Sequence, residues 1–354
     1  MVKLSRRIVW KGFFEGDSGY IQASKRYPLA TKLVGYDTAI MPLAPISKDN
    51  PLSKMVIDKV KDDDLIIFHQ IPTVSPSEKG YFTVTEFNVC PHEWWISLSN
   101  AEIILTQSKF CKDVFSKIEG IDKNKIKVVN YPLPEYCKPE GGNVRHKFLP
   151  DNNTFVFGSC FEWVARKKPE LMWQAFTEEF DKDENVMFIN KMSIPQGFKD
   201  WMLRFNKFRL QDNRIKSVHG RFEDMGDFYR SLDCYISTSA GEGWGATLSE
   251  AMACGIPTIG SKHSGNLEFM NKYNSWLVDM DQWEYIGDDR TNALWMVHPY
   301  QRWRLPKVDS IRKQMRSVFE NKDKKKVTEA LKIRDKLSLE SIGKQIHKAF
   351  AGIL

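Results

Sequence analysis

Two glutamates stand out as residues able to do chemistry. Glu242 and Glu250 sit with seven residues between them in the run Ser239-Ala240-Gly241-Glu242-Gly243-Trp244-Gly245-Ala246-Thr247-Leu248-Ser249-Glu250. Gly241, Gly243 and Gly245 let the backbone approach a ligand closely, and a helix opening near Ala246 would aim free N–H groups at it, which favours phosphate. Glu242 lies in the loop and Glu250 inside the helix. A carboxylate beside a phosphate must accept hydrogen bonds from some other group, and sugar hydroxyls meet that need. Phosphate and hydroxyls together point to a nucleotide sugar.

The flanking elements fit that placement. Residues 232–238 have strand composition. The helix should stop at Cys254-Gly255-Ile256-Pro257, where glycine suits a left-handed cap and proline cannot continue, and Thr258-Ile259-Gly260 opens the next strand. The result is one βαβ unit with its glycine-rich turn at the carboxyl end of a strand. The glycines here and at Gly12, Gly16 and Gly19 do not follow the dinucleotide fingerprint or the P-loop spacing, which argues against a dinucleotide oxidoreductase or an NTPase.

This stretch, continued through residues 262–270, resembles the retaining glycosyltransferases of the GT-B fold, family 4 (glycosyl transferases group 1), on their pattern of two glutamates separated by seven residues. The resemblance covers most of residues 80–350. Asn100-Ala101-Glu102-Ile103-Ile104-Leu105-Thr106-Gln107-Ser108 is similar to the end of the family's first domain, and Phe157-Gly158-Ser159 with Arg166-Lys167-Lys168 to the first strand and basic loop of its second. It implies two Rossmann-like α/β domains facing across a cleft: 1–150 on the acceptor side, 151–330 for the nucleotide sugar, and a helix in 331–354 crossing back to the first domain. It further implies Lys167 and Arg166 at the donor diphosphate, Glu250 at the ribose hydroxyls, and Glu242 at the donor sugar. Backbone donors come from Gly243, Trp244 and Gly245, with Ala246 and Thr247 at the helix start; Arg221 and Phe222 flank the base. Ser159 stands where the family usually has an arginine, which shifts the diphosphate toward Arg166 and Lys167.

Composition is compatible with such an enzyme. The chain has 354 residues, 42% hydrophobic and 27% charged, enough for two sizeable cores. No run approaches about 18 apolar residues, and the basic start leads into a short strand instead of a signal-peptide core; the expected setting is the cytoplasm, with a peripheral membrane position as the alternative. Six cysteines without ligand spacing imply neither a disulfide framework nor a zinc site. Asp62-Asp63-Asp64 has a metal-binding D-x-D spacing but precedes its strand, 65–69, whereas ligands of an open parallel sheet gather at carboxyl ends. No metal and no cofactor are expected, the donor being a UDP- or GDP-sugar.

The acceptor side is read from Gly19, in the loop before the first helix, and from Glu86 and His92, which flank aromatics after a strand, with His69 ranked below them. After Thr154 the βα alternation is expected to run to about residue 300, with Arg302-Trp303-Arg304-Leu305-Pro306-Lys307-Val308-Asp309 introducing a helical pattern and 327–354 reading as amphipathic helices. The acceptor is a glycan, lipid or protein. A net charge of +7, the basic aromatic run 201–209 and the cluster 322–326 keep modified DNA or an anionic membrane surface as alternatives. A catalytically inactive nucleotide-sugar-binding protein and an acceptor-free epimerase are the other readings.

Overall fold

A computed structural model describes residues 6–16, 18–72, 77–149, 153–194, 201–218, 222, 224–286 and 298–353. The chain divides into two units, Met1–Pro134 with Asp335–Leu354, and Glu135–Arg334.

The first unit is built on a six-stranded parallel sheet of β1 (Ile8–Gly12), β2 (Thr38–Pro42), β3 (Leu65–His69), β4 (Gly80–Phe82), β5 (Ile103–Thr106) and β6 (Ile126–Val128), in the order β2-β1-β3-β4-β5-β6. Its inner strands are apolar runs; Ile103, Ile104 and Leu105 are all buried, as a parallel sheet covered on both faces requires. The order reverses at β1 and β3, whose last residues, Gly12 and His69, pair. A side chain on Gly12 would stand 2.9 Å from the His69 carbonyl oxygen, so only glycine fits there. The glycine loop then leads into the helix Gly19–Leu33, where the Ser18 hydroxyl accepts the Ile21 N–H at 3.3 Å. The helix Leu339–Phe350 lies against this one. Gly343 permits the approach, since a Cβ there would meet the Ala30 carbonyl at 2.9 Å, and Tyr36 bonds His347 at 3.1 Å.

The second unit repeats the layout with β7 (Phe155–Glu162), β8 (Val186–Ser193), β9 (Ile215–Val218), β10 (Cys234–Ser237), β11 (Thr258–Ser261) and β12 (Trp276–Val278), in the order β12-β11-β10-β7-β8-β9. The reversal falls between β7 and β10, where a doubly wound sheet binds its ligands. The core is dense in aromatics: Phe157, Trp163, Trp173, Phe176, Phe180 and Phe188 are buried together. Residues 135–149 lie with this unit because Arg145 pairs with Asp233 at 2.8 Å, and the Arg230 guanidinium donates to the Gly142 carbonyl at 2.8 Å.

Two expectations for this unit need correction. Among the described residues the βα alternation ends at Val278, and the first part of the expected helical pattern, Arg302–Pro306, is a strand, β14, paired antiparallel with β13 (Met280–Tyr285); the helix starts at Val308. The reason is a period of two: Trp303 is buried while Arg302 and Arg304 beside it are not, the alternation of a half-buried strand. Among the described residues no helix is long and apolar enough to cross a membrane.

Candidate functional site

Three loops meet at the carboxyl ends of β7, β10 and β11. The 3-10 turn Ala165–Lys167 follows β7 and closes with Lys168 in the left-handed region, φ 43°. It is joined to the loop after β10 by the Ala240 N–H, which donates to the Arg166 carbonyl at 2.7 Å, and by the Ser239 hydroxyl, which donates to the same oxygen at 3.1 Å. The loop after β11 is joined to Glu242 at two points. The Glu242 N–H donates to the Ser264 hydroxyl at 2.9 Å, and the Gly265 N–H donates to the Glu242 carbonyl at 2.9 Å. That second contact demands glycine, because a Cβ on Gly265 would lie 2.1 Å from the Gly243 carbonyl oxygen.

The framework gathers the charges the sequence singles out. Lys167 Nζ stands 2.5 Å from one oxygen of Glu242 and Arg166 Nη1 stands 3.0 Å from the other; Arg166 also donates to the Gly241 carbonyl at 3.2 Å. The Glu242 side chain is only 8% exposed. Burial pushes its carboxyl up, but the Arg166 and Lys167 cations outweigh burial and lower its pKa to about 2. One buried carboxylate thus faces two cations.

Gly245 precedes the helix Ala246–Ala253 with φ 90°, a conformation glycine adopts without strain, and no side chain caps the helix start. The first-turn amides of Ala246 and Thr247 therefore have no capping side chain of the kind that closes other helix starts here. Trp244 is buried, its indole N–H donating to Ser249 Oγ at 3.2 Å and its ring tilted against Phe269 at 4.9 Å, which holds the glycine loop from behind. Further along the same helix, Glu250 is buried, and one carboxylate oxygen accepts the Tyr229 hydroxyl at 2.8 Å and the Tyr136 hydroxyl at 3.4 Å. Burial, then the Glu250 charge, push the Tyr229 phenol well above its ordinary value, so it remains a neutral donor.

Tyr229 and Tyr136 are the residues that sequence reasoning missed. Each reaches Glu250 from a distant part of the chain, and no local spacing marks them. Ser159 is fully buried in the middle of β7, its hydroxyl without a hydrogen-bond partner. Phe222 is half-buried with its ring 5.6 Å from Phe228 and Lys191 Nζ 5.8 Å from its face. Arg221 lies outside the described residues.

In the first unit, Gly19 is the exposed first residue of its helix and Glu86 is half-buried after β4. His92 is exposed with its ring edge-on to Trp95 at 4.6 Å. His69, ranked low, is the most unusual of the group. It is fully buried at the end of β3, neither ring nitrogen has a hydrogen-bond partner, and Tyr20, Phe82, Tyr27 and Trp10 surround it at 4.4 to 6.4 Å. Burial alone lowers its pKa to about 3, so the ring is neutral. Asp64 of the acidic triplet pairs with Arg7 at 2.7 Å, a structural role. Among the described residues no three His, Cys, Asp or Glu side chains converge to hold a metal ion.

Two parallel doubly wound sheets, with a terminal helix returned to the first, define the GT-B fold. The Anabaena HepE structure in complex with UDP and glucose matches 98% of this chain and 99% of its own length at a TM-score of 0.72 and 14% identity. The α,α-trehalose-phosphate synthase (UDP-forming) of Burkholderia vietnamiensis matches 99% of both chains at a TM-score of 0.69 and 12% identity. Residues 203–294 match the family model described as Glycosyl transferases group 1, and the resemblance read from the sequence is borne out. In sequence, mannosylfructose-phosphate synthase of Agrobacterium fabrum is 30% identical over 107 residues, which is 30% of this chain; the match spans 21% of that protein.

Proposed function

We propose that this protein is a glycosyltransferase that moves a sugar from a nucleoside diphosphate onto an acceptor hydroxyl with retention of anomeric configuration. The observation that carries the proposal is the cluster of Lys167, Arg166 and Glu242 beside a helix start that no side chain caps. Nucleotide release leaves a diphosphate carrying two or more negative charges, and cations placed there lower the barrier most directly. On donor binding, Lys167 and Arg166 turn from Glu242 toward the diphosphate and Glu242 accepts hydroxyls of the sugar. Glu250, held by Tyr229 and Tyr136, accepts the ribose hydroxyls, and the amides at Ala246 and Thr247 face phosphate oxygens.

In the reaction the bond from the anomeric carbon to the diphosphate oxygen breaks, and the acceptor oxygen bonds to that carbon on the same face. The acceptor proton passes to the departing phosphate oxygen, so no protein nucleophile is required. The side-chain cations supply the charge compensation, and a metal ion is not part of the proposal. Gly19 and Glu86 of the first unit are assigned to the acceptor. The HepE complex with UDP and glucose and the UDP-forming trehalose-phosphate synthase favour a UDP-sugar as donor.

Thermal melting with UDP, GDP, ADP and their sugars tests the donor site. A ligand bound by the folded state raises the melting temperature by mass action. Selective stabilisation of the wild type that is lost in Glu250→Ala and Lys167→Ala is the expected result. A wild type that no nucleotide stabilises at any salt concentration removes the proposal.

A further inference from the structure

Lys191 is a half-buried cation near the candidate donor site to which the reaction gives no task. It lies near the carboxyl end of β8, in register with Cys160 of β7 on one side and with Val218, the last residue of β9, on the other. Residues paired across parallel strands point their side chains to one face, so Lys191 and Cys160 share that face. Among the described residues no carboxylate pairs with the ammonium, and its Nζ lies 5.8 Å from the centre of the Phe222 ring.

Three charges converge on the Cys160 thiol. Burial pushes its pKa up to about 11; Lys191 opposes that rise, Glu250 adds to it, and Lys167 opposes it again. Lys191 is therefore on the same side of the sheet as the groups proposed to hold ribose and diphosphate. Its place along the sheet tells which part of a donor it meets. The strands run in the order β10-β7-β8-β9, and neighbours stand about 4.8 Å apart. The helix start at Ala246, proposed for phosphate, follows β10, two strand spacings or about 10 Å from β8. Cys160 of β7, which feels the Glu250 charge, lies between them, and Phe222 follows β9. From β10 to β9 the sheet thus presents phosphate, ribose and base groups in the order in which a nucleoside diphosphate carries them.

We propose that Lys191 reads the donor base, donating from its ammonium to an exocyclic keto oxygen, O4 of uracil or O6 of guanine; the inference rests on the glycosyltransferase reading. An ammonium has three donors and no acceptor. Uracil and guanine present acceptors at those positions, whereas cytosine and adenine present amino groups, which only donate. The two strand spacings that separate Lys191 from the helix start favour the base over the diphosphate as its partner.

Isothermal titration calorimetry at one ionic strength, with UDP, CDP, GDP, ADP and inorganic pyrophosphate, tests the assignment. The wild type should bind UDP about tenfold more tightly than CDP, or GDP about tenfold more tightly than ADP. Lys191→Met should weaken the preferred oxo nucleotide about tenfold and leave the amino nucleotide and pyrophosphate within about twofold. Lys191→Arg, which keeps a charged donor, should retain most of the preference. Thermal melts without ligand, together with retained pyrophosphate binding, report that each variant is folded. A loss shared by pyrophosphate and all four nucleotides in a folded Lys191→Met moves the ammonium to the diphosphate and overturns the proposal. So does an unchanged affinity in that variant, or a wild type that prefers CDP and ADP. A wild type that binds none of the four nucleotides strikes the donor reading itself, and the two failures are read separately.

Discussion

At the switch point of the second sheet, Glu242 lies between Arg166 and Lys167 and is ionised to about pH 2; at that of the first, His69 lies among four aromatic rings with no polar partner and is neutral to about pH 3. Both groups are buried, and both sit at the carboxyl ends of parallel strands. Doubly wound topology dictates where such a group is held, but the neighbours contributed by adjacent loops dictate its charge. In the second unit the loops bring cations; in the first, the helix Gly19–Leu33 brings Tyr20 and Tyr27. One sheet thus holds its buried acid ionised between two cations, and the other holds its buried base neutral among rings.

The largest test of this contrast is Lys167→Ala, which should lower kcat for nucleotide release by about a hundred- to a thousandfold. Steady-state kinetics with a UDP-sugar measures it, and a loss below tenfold would mean that the cation merely neutralises Glu242. Next come the glycines that allow each sheet its close approach. Gly265→Ala should cost about 3 kcal/mol in urea unfolding, because the clash is with backbone at 2.1 Å. Gly12→Ala, with its nearest backbone atom at 2.9 Å, should cost about 1 kcal/mol. Equal losses would break the distinction between the two strand ends.

Tyr229→Phe removes a hydrogen bond to a buried carboxylate and should destabilise by about 2 kcal/mol while weakening nucleotide binding; Tyr136→Phe, at a longer distance, should cost less in the same melts. The smallest change is His69→Phe, which should add about 1 kcal/mol by removing an unsatisfied polar ring. It should also alter acid sensitivity. The folded pKa of His69 is depressed to about 3 from an ordinary 6.5, so its neutral form belongs to the folded state. Its contribution is whole above pH 6.5 and is lost as pH falls toward 3, because the unfolded chain takes up the proton first. Glu242 behaves in the same direction over a lower window: its contribution is present above its ordinary 4.5 and is lost toward about 2. Wild type and His69→Phe should therefore diverge between pH 6.5 and 4.5 in denaturant melts, and parallel curves would refute the neutral-histidine account.

The elements that carry the proposed donor-side residues are legible because their signals are local. Glycine spacing, a helix stop at Gly255 and strand composition at 232–238 each depend on neighbours a few residues away, and the structure places Cys234–Ser237, Ala246–Ala253 and Thr258–Ser261 where the pattern predicts them. The two tyrosines on Glu250 were not legible, since Tyr136 reaches it across 114 residues and Tyr229 across 21. Strand β14 was misread as the start of a helix because five residues, Arg302–Pro306, are too few for alternation to stand out, and its partner strand is 17 residues upstream at Tyr285. His69 was undervalued for a related reason: its character comes from rings contributed by β1, β4 and the first helix, which only the fold assembles.

The pair of hydrogen bonds between Glu242 and the Ser264-Gly265 turn bears on how such a loop can be exchanged between proteins. The geometry of residues 239–245 is written partly in residues some twenty positions later, where Ser264 holds φ 67° and Gly265 admits no side chain. A graft of the first segment alone would arrive without its clasp. Transplanting donor preference into or out of this scaffold therefore requires the two segments to travel as a pair, with β11 between them as the ruler that sets their spacing.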